Sequence, residues 1–118
     1  MKSSLAKGMN GEKLACNFFI EKGFSIIHTN WRYSYYEVDI IASKNKILHF
    51  IEVKTRYSKQ YGLPEESVDK KKMDNLMQAA KAFIHQHPEW SRIQFDVLSI
   101  ILMQNENPEF FLLEDVFF

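Results

Sequence analysis

The segment YYEVDIIASKNKILHFIEVKT, residues 35–55, decides the fold. It predicts two strands, 35–42 and 47–55, because β-branched and aromatic residues are frequent in both halves. The short polar stretch 43–46 between them is typical of a hairpin turn. The sequence therefore predicts two adjacent antiparallel strands near the middle of the chain.

Five further elements are predicted around this hairpin from hydrophobic periodicity. They are helix 5–22, strand 24–33, helix 68–86 with Ser67 as its N-cap, strand 92–102 and a short strand 110–113. The order α-β-β-β-α-β-(β) predicts an α/β fold in which helices flank a central mixed sheet. We expect one domain over residues 1–118, because a chain of this length builds a single core.

Composition excludes several classes of protein. Apolar residues make up 46% of the chain and charged residues 25%, which excludes a disordered protein. No stretch approaches the roughly 18 apolar residues that a membrane helix needs, and the N-terminus shows no secretion signal. The single cysteine, Cys16, cannot form an internal disulfide. We therefore expect a cytoplasmic protein without a membrane partner.

Charge is unevenly distributed along the chain although the net charge is zero. Residues 1–60 contain ten Lys and Arg against five Asp and Glu, and residues 61–118 contain five against ten. Four of the five acids in the first half are Glu12, Glu37, Asp39 and Glu52. Either the charges cluster by chance, or the first half presents a positive field to a polyanion.

The hairpin carries acids in the middle of two hydrophobic strands. Side chains alternate along a strand, so Glu37 and Asp39 point the same way. Glu52 and Lys54 share a face of the next strand, and an even-length turn places Asp39 opposite residue 50 or 52. The four polar groups are therefore expected on one face. The apolar residues expected on the opposite face, as core, are Val38, Ile40, Ile51 and Val53.

The shared polar face suggests a bound cation. Clustered carboxylates raise each other's pKa unless a cation lies between them, and oxygen ligands favour Mg²⁺ or Mn²⁺ over zinc. Helix 5–22 places Glu12 at the centre of its apolar stripe, where a carboxylate without a partner is costly. Alternatively, Glu52 and Lys54 form an ordinary surface ion pair, and Asp39 is a hairpin residue.

The order of these residues resembles a known signature. Asp39 followed by Glu52-Val53-Lys54 resembles the PD-(D/E)XK signature of the restriction-endonuclease-like superfamily. Glu12 matches the additional acid of archaeal Holliday junction resolvases. A longer ordered set resembles the YraN-like family of small predicted nucleases. That set is Gly8-x-x-Gly11-Glu12-x-x-Ala15, Asn30-Trp31-Arg32, Glu37-Val38-Asp39-Ile40-Ile41-Ala42, Phe50-Ile51-Glu52-Val53-Lys54-Thr55-Arg56, Gly62-x-Pro64, Lys70 to Lys72, Ala79-Ala80 and Arg92-x-x-Phe95-Asp96.

This resemblance implies a restriction-endonuclease-like fold and a metal-dependent nuclease that hydrolyses phosphodiester bonds in DNA, branched DNA included. It implies that Asp39 and Glu52 bind Mg²⁺ or Mn²⁺ and that Glu12 completes the ligand set. Lys54 would orient or deprotonate the attacking water, and Glu37 would either support the site or lie at the surface. Tyr36 departs from the family, which usually has glycine there, and is expected to crowd the approach to the acids.

A resolvase-like enzyme needs two sites, so the resemblance also implies a homodimer. The candidate interface residues are the phenylalanines near the C-terminus, which we expect to be exposed: Phe110, Phe111, Phe117 and Phe118.

Basic and aromatic side chains are candidates for contacts with nucleic acid. The basic candidates are Arg32, Arg56, Lys59, Lys70, Lys71 and Lys72. The last three open helix 68–86, where a bound phosphate would relieve their repulsion, although neighbouring acids would offset them equally well. The aromatic candidates, which either stack on bases or fill a face of the sheet, are Trp31, Tyr33, Tyr35, Tyr36 and Tyr57.

Two other functions fit the same sequence. One is a nucleic-acid-binding module of the same fold without catalysis, and the other is a protein-interaction domain that uses the acidic, aromatic segment after Met103. Asp96 matches the family pattern, but its strand neighbours favour a structural role at least as strongly. The histidines show no metal-ligand spacing, and the sequence has no Gly-rich phosphate loop and no CxxC motif.

Overall fold

The computed structural model describes residues 3–57 and 69–116 of the chain, with side chains described from Gly11 onward. The helices and strands within these ranges follow the predicted order. They are α1 (Ser3–Glu21), β1 (Ser25–Tyr33), β2 (Tyr36–Lys44), β3 (Ile47–Arg56), α2 (Lys70–Gln86), β4 (Ile93–Ile101) and β5 (Glu109–Leu113). The prediction of an α/β chain is therefore confirmed.

The strands form one sheet in the order β1-β2-β3-β4-β5. β3 and β4 run parallel, whereas the other neighbouring pairs are antiparallel. A parallel pair needs a crossover connection, and the connection that contains α2 provides it. The predicted mixed sheet is confirmed, and the short strand at its end is the edge strand β5.

A two-residue turn, Asn45 and Lys46, joins β2 to β3. Both residues have positive φ, 53° and 66°, which is the backbone conformation that closes a tight hairpin. The register pairs Ile40 with Ile51, so one further residue along the strands brings Asp39 opposite Glu52. This agrees with the predicted register.

Each face of the sheet is covered by one helix through a hydrophobic cluster. The α2-side cluster consists of Val38, Ile41, Leu48, Phe50, Met73, Leu76, Ala79, Ala80, Phe83 and Val97. The α1-side cluster consists of Ala15, Phe19, Ile40, Ala42, Ile51, Leu98 and Ile100. Within the α2-side cluster, the ring of Phe83 contacts the rings of Trp31 and Phe50 edge-on, at centroid distances of 5.2 and 5.9 Å. The predicted arrangement of helices flanking a sheet is confirmed.

The apolar residues of the central hairpin do not all share a face. Ile40 and Ile51 lie in the α1-side cluster, and Val53 packs against it, as predicted. Val38 lies instead in the α2-side cluster, so the prediction is wrong at this position. Regular alternation is lost at the point where β2 stops pairing with β3, next to Ile40, and where Asn30 in the adjacent strand has a φ of 52°.

α1 lies directly against β3 at Gly11. A Cβ atom at this position would lie 2.9 Å from Oγ1 of Thr55, closer than non-bonded atoms approach without a shift. Thr55 is the residue after Lys54 in β3, so the glycine lets the helix lie against the strand that carries the predicted site. This explains why a glycine stands directly before Glu12.

The helix ends match the sequence prediction only in part. Gly23 follows α1 with a φ of 92°, and its N–H donates to the carbonyl of Ile20, as expected of a C-terminal glycine. The N-cap of α2 is Asp69, not Ser67, because the Asp69 carboxylate accepts the Lys71 N–H at 2.9 Å. Ser67 itself lies outside the described residues. Neither described helix combines the length and apolar character needed to cross a membrane.

The phenylalanines near the C-terminus behave differently from one another. Phe110 is half-buried and stacks on Phe18 of α1, with ring centroids 5.0 Å apart, so the prediction that it is exposed is wrong. It is covered because β5 pairs with β4 beside the α1-side cluster. Phe111 is exposed as predicted. Phe117 and Phe118 lie outside the described residues, and the homodimer stays a prediction.

Candidate active site

A polar cleft lies where β2 and β3 separate. Pairing between the two strands ends at Ile40 and Ile51, and beyond this point the main-chain N–H of Val53 donates to Oδ2 of Asp39 at 2.7 Å. The carboxylate accepts a backbone donor that would otherwise pair with a neighbouring strand. The cleft, with a volume of about 370 Å³, is lined by Tyr35, Glu37, Asp39, Glu52, Val53, Lys54, Lys72 and Asn75. We call it the acid–lysine cleft.

Four residues that the sequence assigned to the site meet in this cleft. They are Glu37, Asp39, Glu52 and Lys54. Nζ of Lys54 lies 3.4 Å from Oε2 of Glu52, and the two side chains are only 22% and 19% exposed. They are therefore not an ordinary solvated surface pair, and the predicted shared polar face is confirmed.

α2 adds a lysine to the cleft. Nζ of Lys72 lies 3.9 Å from Oε2 of Glu52, and Asn75, almost one helical turn later, also lines the cleft. The sequence grouped Lys72 with Lys70 and Lys71 as contacts for nucleic acid, without relating it to the acids. The structure separates the three, because Lys70 and Lys71 are exposed and do not line the cleft.

The pKa of Asp39 is raised from an ordinary 3.8 to about 6. Burial is the largest cause, and the carboxylates of Glu52 and Glu37 raise the pKa further. The Val53 N–H and the Lys54 ammonium act in the opposite direction but do not compensate. Burial and the like charges therefore disfavour the ionised form of Asp39, and a bound cation would favour it.

The two lysines of the cleft influence each other's protonation. Burial lowers the pKa of Lys54, and the adjacent Lys72 lowers it further. The pKa of Lys72 is raised, first by its hydrogen bond with Lys54 and also by the charge of Glu52. Lys54 is thus the lysine that releases a proton more readily, while Lys72 keeps its positive charge.

Glu12 does not line the acid–lysine cleft. Its side chain is exposed, and its Oε2 accepts a hydrogen bond from Nδ2 of Asn30 at 2.8 Å. The prediction that Glu12 is central to the apolar stripe is wrong, because Gly11, Ala15 and Phe19 form the buried face of α1 and Glu12 lies beside it. Asn30 is level with Asp39 in the β1–β2 register, so this bond links Glu12 to the strand beside the site.

The predicted metal-ligand set is Glu12, Asp39 and Glu52, and only the last two meet in the cleft. Across residues 11–57 and 69–116, no group of three or more His, Cys, Asp or Glu side chains is close enough to hold a metal ion. Participation of Glu12 in metal binding stays a prediction. Glu37, expected to support the site or to lie at the surface, lines the cleft.

The candidate contacts for nucleic acid differ in their surroundings. Arg32 is 73% exposed, and its Nη2 lies 3.5 Å from Oε1 of Glu37, so its guanidinium lies next to the cleft. Arg56 is half-buried at the end of β3. Lys59 lies outside the described residues.

The aromatic candidates divide into core and surface residues. Trp31 and Tyr36 pack against the α2-side cluster. Tyr33, Tyr35 and Tyr57 are exposed. Tyr36 was expected to crowd the acids, but it does not line the cleft, because its side chain turns to the core and Tyr35 lies at the cleft instead.

A second buried polar pair was not predicted from the sequence. Nδ1 of His49 lies 2.7 Å from Oδ2 of Asp96, and both residues are buried. The other carboxylate oxygen of Asp96 accepts the Gln94 side chain and the Asp115 main-chain N–H, each at 2.9 Å. The pair joins β3, β4 and the segment after β5, which supports the structural role considered for Asp96. The available signal was a polar residue between two apolar ones in each strand, His49 after Leu48 and Asp96 after Phe95.

The fold and the site together define a class: α/β proteins in which three carboxylates and two lysines line a cleft where neighbouring strands of a mixed sheet separate. The profile of the family described as "Uncharacterised protein family UPF0102" matches residues 11–100, a range that includes the whole cleft. The chain therefore belongs to the UPF0102 family, which confirms the resemblance to the YraN-like family at this level.

Several UPF0102 proteins are similar to the chain over most of its length. The protein from Rhodococcus opacus (strain B4) is 38% identical over 118 residues, which cover 99% of this chain and 100% of the relative. The protein from Chloroherpeton thalassium is 38% identical over 125 residues, covering 99% and 97%. The protein from Cytophaga hutchinsonii is 42% identical over 96 residues, covering 81% and 85%.

Proposed function

We propose that this protein is a metal-dependent nuclease with a restriction-endonuclease-like fold that hydrolyses phosphodiester bonds in DNA. The observation that supports this most is the meeting of Asp39, Glu52 and Lys54 in one cleft. Their spacing resembles the PD-(D/E)XK signature, and the choice of DNA, branched DNA included, comes from that resemblance.

The donor set of the cleft suits Mg²⁺ or Mn²⁺. Proteins commonly hold Mg²⁺ by one or two carboxylates, while water and substrate phosphate oxygens complete the octahedron. Asp39 and Glu52 would supply the two carboxylates, and a bound cation would offset the burial and the like charges that raise the pKa of Asp39. When bound, the ion would neutralise phosphate charge and act as a Lewis acid.

Three groups of the cleft have roles that their surroundings support. The Val53 N–H orients the carboxylate of Asp39. Lys54, whose pKa is lowered by burial, would orient an attacking water and exchange a proton with it. Lys72, which keeps its charge, would stabilise the negative charge that develops on the phosphate.

A second candidate is a nucleic-acid-binding module without catalysis. It is favoured by the lack of a three-residue metal-ligating group among the side chains that the structure describes. In this case Arg32 and Lys72 would contact phosphates, and the acids would serve only to place the lysines.

A cleavage assay on several DNA forms separates the two candidates. Labelled single-stranded, nicked and branched DNA would be incubated with Mg²⁺ or Mn²⁺ and either the wild type, Lys54→Met or Lys46→Met. Lys46, an exposed lysine in the β2–β3 turn, is the matched control. The nuclease proposal predicts that the wild type and Lys46→Met cut at least one substrate and that Lys54→Met does not. Binding of DNA without cleavage of any form would support the second candidate.

A further inference from the structure

The turn between β1 and β2 places an exposed aromatic side chain at the acid–lysine cleft. Tyr33 pairs with Tyr36 across the two strands, so the turn consists of Ser34 and Tyr35. Tyr35 is 93% exposed and nevertheless lines the cleft together with Asp39. Its ring contributes little to the core, but it lies within reach of a molecule bound beside the carboxylates.

The residues around Tyr35 hold the end of this hairpin in place. The ring of Tyr36 packs on the α2-side cluster and meets the ring of Tyr35 edge-on, with centroids 6.4 Å apart. Trp31 packs against Phe83, and the ring of Tyr33 stacks on that of Trp31 with an interplanar angle of 8°. Trp31 and Tyr36 therefore hold the hairpin end to the core, which places the exposed ring of Tyr35 beside the cleft.

Cations border the cleft near this hairpin. Arg32, the next-to-last residue of β1, lies beside Glu37, and Lys72 lies beside Glu52. Both side chains are more than half exposed, so both are accessible to a phosphate. A nucleotide whose phosphate meets these cations would have its base close to Tyr35.

We propose that Tyr35 stacks on an unpaired base next to the phosphate bound in the acid–lysine cleft. The substrate class is then nucleic acid with unpaired nucleotides, such as single strands and flaps, rather than continuous duplex. This inference rests on the proposed function, because it takes the acid–lysine cleft as the site that binds the phosphate.

The geometry of duplex DNA explains this preference. Inside a duplex both faces of each base are covered by neighbouring base pairs, so a protein ring stacks only where a base is displaced, at a cost of a few kcal/mol. A single strand exposes its base faces without that cost, and aromatic side chains stack on them in many single-strand-binding proteins. An exposed tyrosine at the cleft therefore favours the unpaired form.

A binding experiment tests this inference without depending on cleavage. Fluorescence anisotropy would measure the affinity for a labelled single strand and for the same strand in a blunt duplex, in EDTA. The variants are Tyr35→Ala, Tyr35→Phe and Phe111→Ala, which removes an exposed ring from β5, at the other edge of the sheet. Because Tyr35 is almost fully exposed, Tyr35→Ala should unfold at the wild-type temperature.

The wild type should bind the single strand more tightly than the duplex. Tyr35→Ala should bind the single strand about tenfold more weakly than the wild type does, because one base–ring stack is removed. Its affinity for the duplex should equal that of the wild type. Tyr35→Phe keeps the ring, so it should bind like the wild type, as should Phe111→Ala.

Three results would overturn the inference. The first is that Tyr35→Ala binds the single strand as tightly as the wild type does. The second is that Tyr35→Phe loses as much single-strand affinity as Tyr35→Ala. The third is that the wild type binds the duplex more tightly than the single strand. In the first case, cleavage of that single strand by Tyr35→Ala at the wild-type rate would leave the nuclease proposal standing. Tyr35-dependent binding of single strands without cleavage in either metal would contradict the nuclease proposal and support the stacking site.

Discussion

The main-chain N–H of Val53 donates to the carboxylate of Asp39 at 2.7 Å, just beyond Ile40 and Ile51, the last paired residues of β2 and β3. This bond fixes an acid of one strand to the strand that carries Glu52 and Lys54. The site is thus formed by the separation of two central strands, which are more rigid than a surface loop. This placement buries Asp39 beside Glu52 and Glu37, so its pKa is raised first by burial and then by the neighbouring charges.

Nuclease activity is expected to rise with pH through about 6, the pKa of Asp39. A protonated Asp39 binds a divalent cation poorly, so the ionised form is the active one. Cleavage rates at fixed Mg²⁺, measured in buffers on both sides of pH 6, test this. Glu37→Gln removes one of the charges that raise the pKa, so its profile should move to lower pH. A rate that does not change across this range would argue against the assignment of Asp39.

Stability without metal is expected to fall as pH rises through the same range. The folded-state pKa of Asp39, about 6, lies above its ordinary 3.8, so the folded protein binds this proton more tightly than the unfolded chain does. The proton on Asp39 therefore stabilises the folded protein fully below pH 3.8, and this stabilisation is lost as the pH rises through about 6. The loss is at most on the order of 3 kcal/mol.

Urea denaturation of Asp39→Asn beside the wild type measures this effect. Asparagine keeps the shape of the side chain and can still accept the Val53 N–H, but it carries no charge. The variant should therefore be more stable than the wild type above pH 6 and equally stable in acid. Mg²⁺ should stabilise the wild type alone. An Asp39→Asn protein that is less stable than the wild type at every pH would show that the negative charge of Asp39 does not destabilise the folded protein.

Lys72→Met is expected to slow cleavage by about a hundredfold while leaving the fold intact, because it removes a positive charge beside the reacting phosphate. Lys71→Met is the matched control, since Lys71 is exposed on the same helix and does not line the cleft. Lys72 lowers the pKa of Lys54, so the variant should raise that pKa. The alkaline side of the pH–rate profile should therefore move to higher pH. Equal effects of the two substitutions would contradict a specific role for Lys72.

Asp96→Ala is expected to lower the free energy of unfolding by about 3–5 kcal/mol, because it leaves His49 buried without its partner. The same change also removes the acceptor for Gln94 and for the Asp115 main chain. Chemical denaturation measures the loss, and Asp74→Ala, at an exposed position of α2, serves as the control. The double variant His49→Leu/Asp96→Leu should lose less than the two single changes combined. Additive losses would show that the two side chains are not coupled.

The parts of the fold that were predicted correctly depend on local sequence. The hairpin of β2 and β3 follows from strand alternation and a two-residue turn, so the meeting of Asp39 and Glu52 was predictable. Lys72 reaches the cleft only because α2 crosses the sheet at a particular position. That position depends on packing of residues such as Phe83 against distant strands, and periodicity within one helix does not contain it.

The errors have physical causes of the same kind. Helical periodicity located an apolar stripe on α1, but the exact centre of the buried face depends on how Gly11 lets the helix lie on Thr55. Glu12 was therefore placed too deep. Val38 lies on the face opposite to the predicted one, at the end of β2 that precedes Ile40 and no longer pairs with β3. A separation of strands is a tertiary feature. The pairing of His49 with Asp96 required the parallel alignment of β3 and β4.

Metal-dependent cleavage of labelled DNA by the wild type and by Asp39→Asn, in the same buffer, tests the nuclease proposal most directly. The wild type should shorten the DNA in Mg²⁺ or Mn²⁺, EDTA should stop the reaction, and Asp39→Asn should leave the DNA intact. A wild-type protein that cuts no form of DNA in either metal would contradict the proposal. So would an Asp39→Asn variant that cuts at the wild-type rate.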